Sequence, residues 1–350
     1  MNFFKGLGTY FDKVQRMRKL GALISDELLI SKEKVELSAS VCKTDLISES
    51  VGEFPELQGI LGGHLSHIQG FDKDIVDAVK EQYLPIGLET AVPKKPYSIA
   101  LSLTDKIDTL IGFFGVNEKP TSSKDPYALR RTALSIIRVI IENKKDLKIN
   151  DLLSYSSNFY LVQGFKFSNK LLHKDIVNFL NDRFKYYLKE KNIRHDIIDA
   201  VTNALNIDQI SIVFEKAKSL NKIIDKQTGE DIISSYKRAS NILHSEKKNI
   251  KIDLSGTVDA DIFKNDFEKE FYKKINELKK YFAGVSKNQN FDEMLTLLST
   301  AKKEVFTFFD NVKVNDDSNI VKINRLELIN LFCKTYENFI NFQLIKDIND

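Results

Sequence analysis

The sequence is poor in cysteine, with only Cys42 and Cys333 in 350 residues. Two cysteines this far apart provide neither a disulfide framework nor a zinc-binding pair, so we expect two buried, inert thiols. No apolar run approaches the roughly 18 residues that a membrane-spanning helix needs. The N-terminal stretch MNFFKGLGTYFDKVQRMRK carries too much charge for a secretory signal. We therefore predict a cytoplasmic protein.

A strong excess of either charge is also missing. Lysine and arginine total 52 against 49 aspartate and glutamate residues, which leaves a formal net charge of +3. Any nucleic-acid-binding surface must then be a local patch and not a generally basic domain. The sequence contains no GxGxxG, Walker loop, HExxH or CxxC pair, so these signatures of nucleotide-binding and zinc proteins are absent.

Helical periodicity dominates what is present. Apolar residues recur at helical spacing along most of the chain, and few stretches alternate as strands do. The pattern predicts an all-α, multi-domain protein. The predicted helices cover residues 9–24, 31–50, 72–83, 97–114, 126–141, 175–191, 207–225, 230–243, 262–282, 291–298 and 324–342. The predicted domains are residues 1–150, 151–229 and 230–350.

The best-specified helix lies within residues 120–141, PTSSKDPYALRRTALSIIRVII. Asp125 is predicted as its N-cap and Pro126 as its first residue. Four cations, Lys124, Arg130, Arg131 and Arg138, lie off the apolar stripe of this helix. Unpaired N–H groups at a helix N-terminus with cations nearby predict a phosphate site. The alternative is a capped core helix with a solvated basic face.

Three other features could carry chemistry. His64 and His67 could share a metal ion, but no third ligand is obvious nearby. Asp105 lies in a largely apolar helix, where a carboxylate needs a partner or a role. The aromatic stretch at residues 306–312 could stack on a base, although phenylalanines at helical spacing are more often core residues.

Eight segments together resemble the beta-subunit family of two-subunit bacterial glycyl-tRNA synthetases, and they occur in the order found in that family. The segments are VGEFPELQG (51–59), EQYLP (81–85), TDKIDTLIGFF (104–114), PTSSKDPYALRRTALSIIR (120–138), IRHDIIDAV (193–201), YKRASNIL (236–243), FFDNVKVN (308–315) and NRLEL (324–328). The resemblance covers nearly the whole chain. Beta subunits of this family are roughly twice as long, and their N-terminal half has no counterpart here.

The resemblance implies a division of labour between two subunits. Glycine would be activated with ATP and magnesium on a separate alpha subunit, so this chain is expected to need no cofactor and to be non-catalytic. It would hold the glycine tRNA within an alpha/beta heterotetramer, with no membrane or DNA as partner. By resemblance, residues 1–150 form an HD-like helical domain, 151–229 a helical connector and 230–350 a helical anticodon-binding-type domain.

Within the HD-like region, the position of the His-Asp pair reads Lys43-Thr44-Asp45, and Asp105 matches the distal aspartate. Because no imidazole stands beside Asp45, we expect the metal site of active HD enzymes to be lost. An HD-type metal-dependent phosphohydrolase, using Asp45, Asp105 and His64 or His67, is the alternative function.

The leading hypothesis is a tRNA-binding part of the synthetase. From charge and motif position, the predicted tRNA-binding residues are Lys124, Arg130, Arg131, Arg138, Lys237, Arg238, Asn241 and Arg325. A third possibility is an assembly module that docks the alpha subunit and barely contacts RNA.

Overall fold

The protein is built from α-helices, which confirms the predicted fold class. Its computed structural model describes residues 1–203, 206–249, 254, 257–284 and 290–346. Within these residues the only sheet is a two-stranded antiparallel ribbon of β1 (Asn2–Phe4) and β2 (Gly8–Thr9). The helices are α1 (Tyr10–Leu28), α2 (Lys32–Val41), α3 (Glu49–Glu53), α4 (Ile60–Ile68), α5 (Lys73–Glu81), α6 (Pro96–Gly115), α7 (Leu129–Glu142), α8 (Ile149–Val162), α9 (Leu172–Glu190), α10 (His195–Thr202), α11 (Ile210–Ile223), α12 (Gln227–Asn249), α13 (Asp266–Gly284), α14 (Phe291–Ser299), α15 (Lys302–Asn311) and α16 (Asn319–Glu337).

The chain divides into two compact units, and the division differs from the three predicted domains. The first unit comprises residues 1–187 and 206–211, and the second comprises residues 188–205 and 212–350. The predicted boundary near residue 150 does not coincide with this division, because α8 packs against α1 and α6 inside the first unit. Apolar side chains of α8, such as Leu152 and Tyr160, are fully buried there and tie the helix to that core.

Helix α6 is the centre of the first unit. It contacts α1, α2, α5, α7 and α8, and most of its residues are buried. Pro96 starts the helix, where its missing N–H costs no hydrogen bond. Despite the apolar character of α6, no helix in the described part of the chain is long and apolar enough to cross a membrane.

Residues 31–50 do not form the single helix that their pattern predicts. The helix α2 ends at Val41, and a 3-10 turn at Thr44–Ile47 and the short α3 follow. The chain turns here because the buried Asp45 carboxylate accepts hydrogen bonds from Gly59 N at 2.6 Å and Gly62 N at 3.2 Å. Such side-chain bonds to distant backbone compete with continued helix.

An aromatic core holds the second unit together. Phe271 on α13 packs against Phe308 on α15 and Phe332 on α16, with ring centroids 4.9 Å and 5.3 Å apart. All three rings are fully buried. Phe308 belongs to the aromatic stretch that could have stacked a base, and the structure assigns this ring to the core.

Candidate nucleic-acid interface

The N-terminus of α7 is occupied by a carboxylate of the protein. The helix begins at Leu129, three residues later than predicted, after Ala128 in the left-handed conformation at φ 52°. The Asp125 carboxylate accepts from Leu129 N at 2.8 Å and from Arg130 N at 2.9 Å. Pro126 lies in the preceding turn and not in the helix. Asp125 therefore occupies N–H groups that a bound phosphate would need, and this favours the capped-helix interpretation over the phosphate site.

Three of the four predicted cations near α7 remain accessible. Lys124 and Arg131 are exposed. Arg130 is half-buried, and its guanidinium donates a hydrogen bond to the carbonyl of Thr121. All three lie at or just before the start of α7, and we call Lys124, Arg130 and Arg131 the α7 basic patch.

Two predicted tRNA-binding arginines are buried within their own units. Arg138 is 7% exposed, with Nε 2.7 Å from Glu142 Oε1 and Nη1 2.6 Å from the Gly87 carbonyl. Arg325 is 5% exposed; it pairs with the buried Glu268. Because these guanidiniums are already bound and have lost their water, the structure places Arg138 and Arg325 in the interior and not on an RNA-facing surface.

The remaining predicted residues lie on α12. Arg238 is half-buried, stands over the Phe306 ring at 4.7 Å from its centroid and donates to Asp310 Oδ1 at 2.6 Å. Lys237 is half-buried and Asn241 is exposed. Since Arg238 covers one face of Phe306, that face is not available to a base.

Sequence reasoning missed a further basic surface on α13. Lys269, Lys273, Asn276 and Lys280 share one side of this helix and line an open cavity of about 590 Å³. The signal was readable, because residues four, seven and eleven positions after Lys269 lie on one helical face. The prediction for residues 262–282 gave a helix and assigned no function to its cations.

Comparison with known proteins places the chain in a family. A family model described as glycyl-tRNA synthetase beta subunit matches residues 1–203, and one described as DALR anticodon binding domain matches residues 232–346. The chain belongs to the glycyl-tRNA synthetase beta-subunit family. This finding confirms the resemblance that the sequence motifs indicated.

Two curated relatives are named glycine–tRNA ligase beta subunit. The glycine–tRNA ligase beta subunit of Rhodospirillum centenum is 34% identical over 350 residues, which are 99% of this chain and 48% of that protein. The protein of that name from Rickettsia canadensis is 36% identical over 342 residues, 98% of this chain and 49% of its own length. The chain thus spans about half the length of the curated relatives it matches.

In this beta-subunit chain, Asp105, which the resemblance compares with the distal aspartate of HD enzymes, forms ion pairs with lysines. Lys43 Nζ lies 3.1 Å from Asp105 Oδ1, and Lys13 Nζ lies 3.1 Å from the same oxygen. Burial alone would raise the pKa of Asp105, but the ammonium groups of Lys13, Lys43 and Lys106 hold it well below its usual range. The Asp105 carboxylate thus has the ammonium groups of Lys13 and Lys43 as its partners.

The other candidate metal ligands do not converge on Asp105. His64 and His67 are exposed on α4, whereas Asp45 is buried and bound to backbone N–H groups. No group of three or more His, Cys, Asp or Glu side chains among the described residues could hold a metal ion. Nothing in this arrangement favours the phosphohydrolase alternative.

Proposed function

We propose that this chain is a tRNA-binding, non-catalytic part of a glycyl-tRNA synthetase beta subunit. The observation that carries this proposal is the order of two matches in one chain: a beta-subunit region, then an anticodon-binding-type domain. Ligation of glycine to its tRNA, with ATP and magnesium, would take place on the alpha subunit in the cytoplasm. The chain would supply binding and orientation, which convert a bimolecular encounter into a positioned one.

The burial of Arg138 and Arg325 narrows the proposed RNA contacts. The residues that keep polar groups near the surface are Lys124, Arg130, Arg131, Lys237, Arg238 and Asn241. Contacts between cations and backbone phosphates release counterions, so tRNA affinity should fall steeply as salt increases. Such contacts position the RNA without reading its sequence.

Neutralising the α7 basic patch should weaken tRNA binding and flatten its salt dependence. For Arg130→Gln with Arg131→Gln, we expect the slope of log affinity against log salt to fall by about 1 per lost phosphate contact. The measurement is fluorescence anisotropy with labelled glycine tRNA at several salt concentrations. Lys73→Gln is the matched control, because Lys73 is an exposed cation flanked by Asp72 and Asp74. Equal slopes for the double variant and this control would contradict the assignment.

A second role is docking of the alpha subunit. Helix α4 favours this role because its small residues are buried and its large apolar residues are exposed. Its buried face consists of Gly62, Gly63 and Ser66. The small residues are required by close packing on α5, since a Cβ added at Gly63 would lie 2.8 Å from the Cβ of Lys80. The large apolar residues consequently face outward, with Ile60 50% exposed and Ile68 66% exposed.

The segment that leads into α4 is acidic. The sequence has no lysine or arginine between Lys43 and Lys73, whereas Glu49, Glu53 and Glu56 are all exposed. An exposed apolar face that follows an acidic segment suits a protein surface with a basic rim better than it suits RNA phosphates. We propose the alpha subunit as that protein partner.

Removing the apolar side chains of this face should weaken alpha-subunit binding. For Ile60→Ser with Ile68→Ser, we expect at least a tenfold loss of affinity for purified alpha subunit, because exposed apolar anchors provide much of the binding energy at protein interfaces. Binding can be measured by calorimetry, and tRNA affinity should not change. Leu29→Ser is the control, since Leu29 is 91% exposed after α1. Unchanged alpha-subunit affinity in the double variant would refute the docking role.

A further inference from the structure

The α13 cavity combines aromatic rings, ammonium groups and one amide. Its lining includes Phe263, Lys269, Tyr272, Lys273, Asn276 and Lys280. The rings of Phe263 and Tyr272 meet edge to face with centroids 5.5 Å apart, and both residues are half-buried. The volume of about 590 Å³ lies within the range of roughly 300–1,000 Å³ found for small-molecule pockets.

The cations of the cavity are extended along the helix. From Lys269 to Lys280 the axial distance is about 16 Å, at about 1.5 Å per residue. Lys269 is within 3.0 Å of Asp266, whereas Lys273 and Lys280 form no ion pair with any residue that the structure describes. The one carboxylate in the lining, Glu277, lies 3.5 Å from Lys274. An elongated polyanion therefore fits this surface better than a compact anion does.

Hydrogen bonds hold in place the segment that carries Phe263, which forms one wall of the cavity. Asn324 on α16 donates to the Asp259 carbonyl and accepts from the Asp259 N–H, each at 2.8 Å. Lys264 N donates to the buried Glu268 at 2.6 Å. These bonds fix both ends of the short segment that carries Phe263, so the wall does not have to be ordered when a ligand binds.

We propose that the α13 cavity binds an unpaired nucleotide of tRNA. Tyr272 and Phe263 pack against the base, the Asn276 amide hydrogen-bonds to its edge, and the lysines contact neighbouring phosphates. An unpaired base is required, because bases within an RNA duplex cannot offer their faces to aromatic side chains. This inference rests on the proposed function and adds the place where single-stranded RNA sits.

The test uses the full chain and three fluorescent probes: glycine tRNA, an unstructured single-stranded RNA and a blunt RNA duplex. For Tyr272→Ala we expect affinity for the single strand to fall about 5- to 150-fold, the range measured for one stacked base. Tyr272→Phe keeps the ring and should bind within about twofold of wild type. Lys273→Gln with Lys280→Gln should lower the salt slope by about 0.7 per lysine. Tyr155→Ala is the control, because Tyr155 is 48% exposed in the first unit.

Three results would overturn this assignment. The first is wild-type affinity for the single strand in Tyr272→Ala, and the second is an equal loss for the blunt duplex. The third is competition by poly-glutamate as strong as that by single-stranded RNA, which would indicate an acidic peptide site. If wild-type protein binds tRNA but Tyr272→Ala binds it equally well, only the cavity assignment fails. If wild-type protein binds no tRNA, the proposed function fails.

Discussion

Replacing Asp108 by asparagine should lower the free energy of unfolding of the first unit by about 3–5 kcal/mol. Asp108 on α6 has no solvent exposure, and its oxygens lie 2.7 Å from Arg16 Nε and 3.2 Å from Lys13 Nζ. Both cations are also buried. Asparagine preserves the size of the side chain but removes the charge, so two cations would remain buried with less compensation.

Tyr160 should increase the stability loss that the Asp108 substitution causes. Its hydroxyl lies 3.1 Å from Asp108 Oδ2, and its ring lies 3.6 Å from Arg16 Cζ. Burial, with the charge of Asp108 as the next cause, raises the pKa of Tyr160 well above its usual value. The hydroxyl therefore stays protonated and donates to the carboxylate. An uncharged amide accepts more weakly than a carboxylate, so the substitution also weakens this hydrogen bond.

Urea unfolding followed by far-UV circular dichroism measures the effect, since the chain has no tryptophan to report by fluorescence. Asp72→Asn is the control: Asp72 is exposed and lies 3.2 Å from Lys34, so its loss should leave the urea midpoint nearly unchanged. If the two variants unfold at the same urea concentration, the buried cluster does not stabilise the unit as described.

Local periodicity predicted the helices best where one chemical signal dominates. Residues 97–114 were predicted as helix, and α6 spans Pro96–Gly115, because proline marks the start and apolar residues continue to the end. The prediction of a single helix over residues 31–50 was wrong because the contact that ends the helix is not local in sequence. Asp45 binds the backbone of Gly59 and Gly62, and such a contact arises only after the chain has folded.

Charge was readable from the sequence, but burial of charge was not. Arg138 and Glu142 are four residues apart, a spacing that also occurs on exposed helical faces. The interior position of Arg138 follows from the Gly87 carbonyl, which is distant in sequence. By contrast, the cations of α13 could have been found from helical spacing alone, because an exposed stripe depends only on its own helix.

Arg325 shows how the structure separates folding from binding. Its Nη1 lies 2.8 Å from the Lys313 carbonyl and 2.9 Å from Asp316 Oδ2, and its Nε pairs with Glu268. Glu268 is 1% exposed. Three segments of the second unit thus meet at one guanidinium: the start of α13, the loop after α15 and α16.

Arg325→Met should therefore lower the free energy of unfolding of the second unit by about 3–5 kcal/mol, because Glu268 loses its buried partner. At temperatures where the variant remains folded, its tRNA affinity should equal that of wild type. Arg238→Met is the contrasting variant: Arg238 pairs with the exposed Asp310, so stability should change by less than about 1 kcal/mol while tRNA binding weakens. Thermal unfolding measures the stability of both variants, and tRNA titration measures their affinity. Lost tRNA affinity in folded Arg325→Met, with wild-type stability, would return Arg325 to the RNA-binding surface.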